Sequence, residues 1–440
     1  MSNSNTTRLR KGVTTGLTAA GAARAATTKL LCGTDLDTVE VFSTTGLSFT
    51  LTIAETVSEG EWVRCGIVKD AGDDPDVTNG MMVYCAVRRT DSGAVTIDGG
   101  EGIGRVTKPG LKAAVGEAAI NPVPRAMIGS AIQAVCEECD YFGGVEAVIS
   151  IPGGEEVAKR TLNSRLGVIG GLSILGTTGV VEPMSDAAMV DTIKAEIDVQ
   201  IASGSTELLV MPGNYGRDFA RDVLGLDVDE AIRCSNYIGD TLDYAVLRYL
   251  ETKDNRDIVE TVSVGANVSD LLPAVSAALS SSTERDLSMR LIGHAGKLVK
   301  LAGGIMNTHS SYADCRMEII AAHAGKFACD SELISELLQC ATTEAAIELL
   351  LQAGINDEVW QSIGERIAFY LGSRVRHQLQ IEFTVFTQEH GVLVDGSVSR
   401  EQGVLVDGSV SREQGVLVDG SVSRERDVLV DSSVSREQST

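Results

Sequence analysis

From residue 145 onward the chain changes rhythm, and this change constrains its fold more than any other feature. Short apolar runs at 145–151, 172–175, 207–211, 231–234 and 288–292 read as strands. Helical stretches are expected from Glu155, over 186–202, and through most of 313–371, before a last strand at 378–386. Strands that alternate with helices are the mark of βαβ units and a parallel sheet. Before residue 145 the pattern is different: a helix over 17–31, strand-like runs at 38–42, 48–54, 62–68 and 81–89, and a helix over 126–139. The expected fold is therefore a two-domain α+β / α/β protein. A mixed α+β domain spans 1–144, and a Rossmann-like α/β domain with a parallel sheet and a helical C-terminal part spans 145–386.

A tail, 387–440, follows. The unit Gly-Val-Leu-Val-Asp-Gly-Ser-Val-Ser-Arg-Glu-Gln starts at Gly391, Gly403 and Gly415, and in degraded form at Asp427, a period of 12. Short hairpins or a small β-solenoid are open to it. With one short apolar patch per unit it is read as a weakly ordered appendage outside the mechanism. Deleting everything after His390 is expected to leave activity intact.

Composition removes several functions. A net charge of −24 over 440 residues, with no basic stripe, excludes a nucleic-acid role. The charge reads as a solvated acidic shell. Nine scattered cysteines suit reduced thiols rather than a disulfide framework, and the lone C-x-x-C of Cys136 and Cys139 reads as helix packing rather than a zinc site. The Ala-rich stretch 17–31 is interrupted by Arg24 and Lys29, so it is no secretory signal, and the longest uncharged apolar run, 166–181, is too short to span a bilayer. A soluble, cytoplasmic chain is expected.

The loops after the strands carry the functional signal. Five of them in succession hold Gly, Asn, Ser, Thr or His. In open α/β sheets ligands sit beyond the carboxyl ends of the strands, where Gly permits close backbone approach and helix N-termini offer N–H groups. The simpler alternative is that each Gly only makes a tight turn. Gly176-Thr177-Thr178-Gly179 is the strongest loop, able to cradle a carboxylate, a ribose or a cofactor tail. It is neither a G-x-G-x-x-G nor a P-loop. The densest polar cluster runs from His294 to Arg316 and contains Lys297, Lys300, Asn307, Thr308, His309, Ser310 and Asp314. So local a cationic cluster in an acidic chain suits a polycarboxylate, or else is a solvated face with internal ion pairs. His309 is a candidate acid or base oriented by Asp314, or a helix cap. No two histidines have zincin spacing, so no protein-held metal is expected. Asp73, Asp74 and Asp76 around Pro75 lack EF-hand spacing. The Gly-rich run from Gly99 to Gly104 leads into Arg105 and Lys108, as a ligand-hugging loop or a hairpin tip.

These motifs resemble one family closely. Thr14-Thr15-Gly16, Asp73-Asp74-Pro75-Asp76-Val77-Thr78, the run from Gly102 to Leu111, Ala119-Ile120-Asn121-Pro122-Val123-Pro124-Arg125, the run from Pro152 through Asn163-Ser164-Arg165-Leu166-Gly167 to Gly179, and His294 to Lys300 with Asn307-Thr308-His309-Ser310 and Ala313-Asp314 occur in its order. The chain is similar across 9–386 to the cobalt-precorrin-5B (C1)-methyltransferases of anaerobic cobalamin biosynthesis. One departure stands at Leu17-Thr18, where the family often carries Thr-Cys. Methyl transfer needs no thiol, so the swap reads as tolerated packing.

The resemblance implies an S-adenosyl-L-methionine-dependent methyltransferase acting on ring carbon C-1 of cobalt-precorrin-5B to give cobalt-precorrin-6A, with cobalt present only as part of the substrate. The partners it implies are the corrinoid small molecule, with a homodimer and other enzymes of the pathway as further candidates, and neither nucleic acid nor membrane. On this reading Gly176, Thr177, Thr178, Gly179, Gly213 and Asn214 hold the cosubstrate. Arg105, Lys108, Arg165, His294 and Lys297 bind substrate carboxylates. His309 with Asp314 adjusts macrocycle protonation. The rival classes are a nicotinamide-dependent reductase, disfavoured by the missing G-x-G-x-x-G, and a non-enzymatic corrinoid carrier. Lys297→Ala should weaken substrate binding far more than cosubstrate binding in calorimetric titrations, and equal losses would remove Lys297 from the substrate set.

Overall fold

The structure, a computed structural model, describes residues 9–252, 286–327 and 330–400, together with the backbone of 404–407. A short strand β1 (Gly12–Val13) leads into helix α1 (Thr15–Cys32). Thr14 is extended, so its Oγ1 accepts the Leu17 N–H at 3.3 Å, and Gly33 closes the helix in the left-handed region with φ 73°, its N–H returning to the Lys29 carbonyl. Small residues make α1 a packing element: Ala19, Ala20, Ala22, Ala23, Ala25 and Ala26 are all buried. A Cβ on Gly16 would meet Pro124 at 2.9 Å, so its absence lets the first turn of α2 (Pro122–Glu138) approach closely, and one on Gly21 would meet Leu51 of the adjoining sheet at 2.9 Å. Leu17 and Thr18 are both buried, and the Thr18 hydroxyl donates to the Thr14 carbonyl at 3.0 Å, which is the packing role expected of this pair. Because α1 and α2 start together, they also end together. Cys32 and Cys139 stand at the shared end with Cα atoms 6.6 Å apart and are joined as a disulfide, correcting the expectation of reduced thiols throughout.

Both helices lie on a six-stranded sheet built from β2 (Thr38–Phe42), β3 (Ser48–Glu59), β4 (Trp62–Val68), β5 (Met82–Thr90), β6 (Val95–Gly99) and β8 (Gly144–Ser150), in the order β2-β3-β4-β5-β8-β6. A two-residue strand β7 (Arg105–Val106) pairs with β9 (Val168–Ile169) beside it. Strand β8 was expected to open the second domain. It lies instead between β5, antiparallel, and β6, parallel, and buries Val145, Ala147 and Ile149 in the first core. An apolar run states that a strand is buried, not which sheet buries it. The boundary expected at 144 therefore cuts through the first sheet. The chain stays there past the short helix α3 (Gly154–Ala158). Residues 172–175 form no strand: Leu172 and Ile174 make single bridges to Ile103 and Ile120. The excursion ends at β10 (Val180–Val181), which pairs with β1.

A second sheet follows helix α4 (Asp186–Ala202). Strands β11 (Glu207–Val210), β12 (Ser288–His294) and β13 (Gln380–Thr387) run parallel, and Ile232 adds a parallel bridge outside β11 at Val210. Helices α5 (Asn214–Asp222) and α6 (Ile238–Thr252) flank the Ile232 segment in sequence. From β11 the chain thus crosses outward to Ile232 and later back to β12 on the other side, which makes the gap between β11 and β12 a topological switch point. Beyond β12 come a one-turn helix α7 (Ala295–Leu298), a 3-10 helix (Val299–Gly303), α8 (Arg316–Ala324), α9 (Ser331–Gln339), α10 (Thr343–Ala353) and the long α11 (Asn356–Val375), whose Trp360, Ile363, Ile367 and Leu371 are fully buried.

Only half of this sheet is parallel. The hairpin after β13 brings in β14 (Gly391–Val398) and β15 (Val404–Asp407), both antiparallel and both made from the 12-residue repeats. The tail expected to be an appendage supplies part of the core: Val394 and Val398 are fully buried. One apolar patch suffices because the edge of β13 and the face of α11 already exist to receive it. The third and fourth copies lie outside the described residues. Among the described residues, no helix is long and apolar enough to cross a membrane.

Two outcomes follow from this packing. Gly102 has φ 72° and a Cβ there would fall 1.9 Å from the Ile151 carbonyl oxygen, so Gly102→Ala should cost about 3 kcal/mol in urea unfolding. A chain ended after His390, once expected to be harmless, should melt well below one ended after Asp407 in thermal denaturation.

Candidate functional site

Three loops converge at the carboxyl ends of the parallel strands. After β11, Gly213 adopts φ 118° ahead of α5, and a Cβ on it would lie 3.6 Å from Lys297 Nζ. After β12, His294 caps α7. Its Nδ1 accepts the Gly296 N–H at 3.2 Å, which leaves the ring proton on Nε2, 3.2 Å from Glu344 Oε1. The ring also lies 6.0 Å from that of Tyr215 and edge-on to Phe386. Burial holds the His294 pKa below the ordinary histidine value, against an opposing pull from Glu344. One turn on, the Lys297 ammonium donates to the Ser235 carbonyl at 3.3 Å, and burial lowers its pKa from the usual lysine range.

The third loop, after Ile232, holds Cys234, Ser235 and Asn236. The Cys234 thiol is pushed up to about 12, chiefly by burial, so it is no nucleophile at neutral pH. Ser235 sits in the left-handed region with φ 51°. The Asn236 carbonyl accepts the Thr308 N–H at 3.0 Å and its Oδ1 accepts the Thr308 hydroxyl at 3.1 Å. Lys300 is 3% exposed and donates to the carbonyls of Thr308 at 3.0 Å and Ala313 at 2.9 Å. It is a strut for this loop and has no free face for a ligand.

His309 and Asp314 do not form the expected pair. Asp314 is gripped by Arg316 through Nε at 2.5 Å and Nη2 at 3.0 Å, a contact that depresses its pKa. His309 Nδ1 instead accepts the Ser311 N–H at 3.1 Å and lies 2.7 Å from the Ser311 hydroxyl. Arg316 competes for the carboxylate because it is a bidentate cation two residues away.

The loop Gly176 to Gly179 belongs to the first unit. Thr44 donates its hydroxyl to the carbonyls of Thr177 at 3.1 Å and Thr178 at 3.2 Å, the Thr14 N–H donates to the Gly179 carbonyl at 3.0 Å, and a Cβ on Gly176 would strike Thr14 Oγ1 at 2.4 Å. It follows no parallel strand and so is not brought to the switch point. Thr44 also borders an apolar groove of about 560 Å³ between α1, α2 and β2, with Leu17, Ala20 and Met127 among its walls. Arg105 stays in the first unit, paired with Asp98 at 2.8 Å. Lys108 and Arg165 reach across to the second unit, Lys108 to Glu230 at 3.0 Å and Arg165 to Glu196 at 3.2 Å and the Ala231 carbonyl at 2.5 Å. Of the eleven cosubstrate- and substrate-binding candidates, Gly213, Asn214, His294 and Lys297 therefore share one cleft, and Lys108 and Arg165 reach toward its edge near Ile232.

The comparisons with known proteins bear on the same chain segments. The family model described as CbiD matches residues 2–183, ending just past β10, and that described as CbiD, C-terminal domain, matches 307–397. A Ruminiclostridium cellulolyticum protein named cobalt-precorrin-5B C(1)-methyltransferase is 44% identical over 89% of this chain and 92% of its own length. The chain belongs to the CbiD family. Proteins of the same name from Thermoanaerobacter sp. and Methanocaldococcus jannaschii are each 38% identical, over 88% and 82% of this chain and 95% and 90% of their own lengths. A crystal structure of a cobalamin biosynthesis protein (cbiD) from Archaeoglobus fulgidus is 24% identical, covers 72% of this chain and 85% of its own, and superposes with a TM-score of 0.33, too loosely to bear on the site.

In this CbiD chain, Glu344 and Tyr215 went unread as site residues, and Ser235 and Asn236 were legible only as one of the ligand-type loops. Thr342 announces a helix start, and its hydroxyl does accept the Ala345 N–H, but nothing in the spacing puts Glu344 beside a histidine fifty positions earlier. For a metal, the grouping of ligand types among the described residues is Glu348, Glu389 and His390, whose ligand atoms lie within 4.8 Å of one another at the β13–β14 hairpin; no residue of the cleft belongs to it.

Since folding lowers the His294 pKa, the unfolded chain binds a proton first as pH falls. The stability contributed by neutral His294 is complete above the ordinary histidine pKa and is lost as pH drops through it. Glu344→Gln should lower the His294 pKa further, read as a shift of its ring-proton resonance in an NMR titration.

Proposed function

We propose that the chain methylates ring carbon C-1 of cobalt-precorrin-5B with S-adenosyl-L-methionine as donor, giving cobalt-precorrin-6A, as a cytoplasmic enzyme of anaerobic cobalamin biosynthesis. Identity at 44% to a protein of that name, over nearly the full length of both, carries the reading.

On this reading the second unit is Rossmann-like and the switch point holds the cosubstrate. Gly213 leaves room where a side chain would obstruct, and the α5 N-terminus turns N–H groups outward. The exposed Tyr215 ring offers a stacking face for an aromatic base. When bound, the cosubstrate supplies a methyl group on a cationic sulfur. The protein's own part is to hold the macrocycle so that its ring carbon lies in line with that methyl, and alignment supplies much of the rate. The acetates and propionates of the macrocycle suit the Lys297 ammonium, whereas both nitrogens of His294 are already engaged, by the Gly296 N–H and by Glu344. His309 acts as a proton donor through Nε2, without Asp314.

Titration with S-adenosylhomocysteine, with and without a cobalt corrinoid, tests the activity: saturable binding strengthened by the corrinoid supports it, and corrinoid binding alone would make the protein a carrier. Gly213→Val should weaken S-adenosylhomocysteine binding roughly tenfold or more while Thr177→Val and Thr178→Val leave it unchanged. The reverse pattern would move the cosubstrate to the Gly176 to Gly179 loop.

A further inference from the structure

Next to the cleft, where the two units meet, three guanidinium groups gather around too little negative charge. Arg165 comes from the first unit, Arg217 from α5 and Arg233 from the residue after Ile232. The buried carboxylate among them is Glu196, 3.2 Å from Arg165 and accepting the Arg233 backbone N–H at 3.3 Å. Asp229 faces Arg217 at 3.5 Å but is 84% exposed, so solvent screens it. The Nε atoms of Arg165 and Arg217 are shielded from solvent without a hydrogen-bond partner, whereas Arg165 Nη1 faces Glu196; the Arg233 guanidinium is exposed and has no ion pair among the described residues. Partial desolvation first, then the charges of Arg165 and Arg217, hold the Arg233 pKa below its ordinary value, with Glu196 pulling the other way. The two shielded Nε donors, left unpaired beside like charges, are costly unless an anion completes them, and the exposed Arg233 guanidinium is free to join them on that anion.

We propose that Arg165, Arg217 and Arg233 form a carboxylate-binding site at the seam of the two units, which takes a side-chain carboxylate of the macrocycle and orients it over the switch-point cleft. The proposal rests on the corrinoid reading above. It assigns Arg217 and Arg233 a role in substrate recognition, which no motif in the sequence suggests. Planar, bidentate guanidinium groups suit carboxylates better than they suit amides or esters. Specificity for a substrate whose side chains are still free acids then follows.

The test uses dicyanocobyrinic acid, a corrinoid with free carboxylates, its heptamethyl ester, and tricarballylate as a simple tricarboxylate. Arg217→Gln and Arg233→Gln are the variants. Arg165 is left in place, because its removal would strand the buried Glu196. The wild-type chain should bind the free acid roughly tenfold or more tighter than the ester, and each variant should lose roughly that factor for the acid alone, with S-adenosylhomocysteine affinity unchanged. Variants that bind the acid as tightly as wild type, or that lose acid and ester alike, would overturn the proposal. If neither corrinoid binds the wild type while tricarballylate binds and is lost in both variants, the anion site stands and the corrinoid reading fails.

Discussion

A buried ammonium holds the cleft together. Lys300 lies in the interior and must find oxygen acceptors there, because an unsatisfied charge in such a place costs several kcal/mol. It finds the carbonyls of Thr308 and Ala313, and so fixes the loop between them. That loop in turn engages Asn236 twice through Thr308. Asn236 follows Ser235, whose carbonyl receives Lys297, and Lys297 stands over Gly213. One desolvated cation thereby sets the relative positions of all three loops at the switch point.

The second organising constraint is the return of the chain to the first sheet. After β8 it continues to wrap around that unit until β10 closes on β1. The excursion is what carries Lys108 and Arg165 to the second unit, where they meet Glu230, Glu196 and the Ala231 carbonyl. The edge of the cleft thus contains groups from both units, and the relation between them is set by a buried ion pair, whose geometry specifies orientation more than it adds stability.

Much of this could be read from local pattern. The boundaries of β2, β4 and α4 match the runs read from the sequence, β2 because it buries alternate residues and α4 because its buried residues lie on one helical face. The loops after β11, Ile232 and β12 were recognisable as ligand-type turns, since Gly213, Ser235 and His294 each stand where a strand must give way to a helix. Other elements were not readable. The apolar alternation of β8 and of residues 172–175 is equally consistent with either sheet. Asp314 looked like a partner for His309 until Arg316, equally near in sequence, proved able to grip it with two nitrogens. The repeats looked too poor in apolar residues to fold, and taken alone they are; β14 is ordered by a sheet edge and a helix contributed from elsewhere.

The sequence by itself determined the family, the alternation of strands and helices, and the residue types available to bind an anionic ligand. These depend on order along the chain and on local backbone preference. Only the tertiary structure decided that Gly176 to Gly179 packs against Thr14 and Thr44, that Glu344 faces His294, and that Arg217 and Arg233 meet Arg165. Those pairings join residues far apart in sequence, and long-range contacts are chosen by how whole layers pack, which no local pattern encodes.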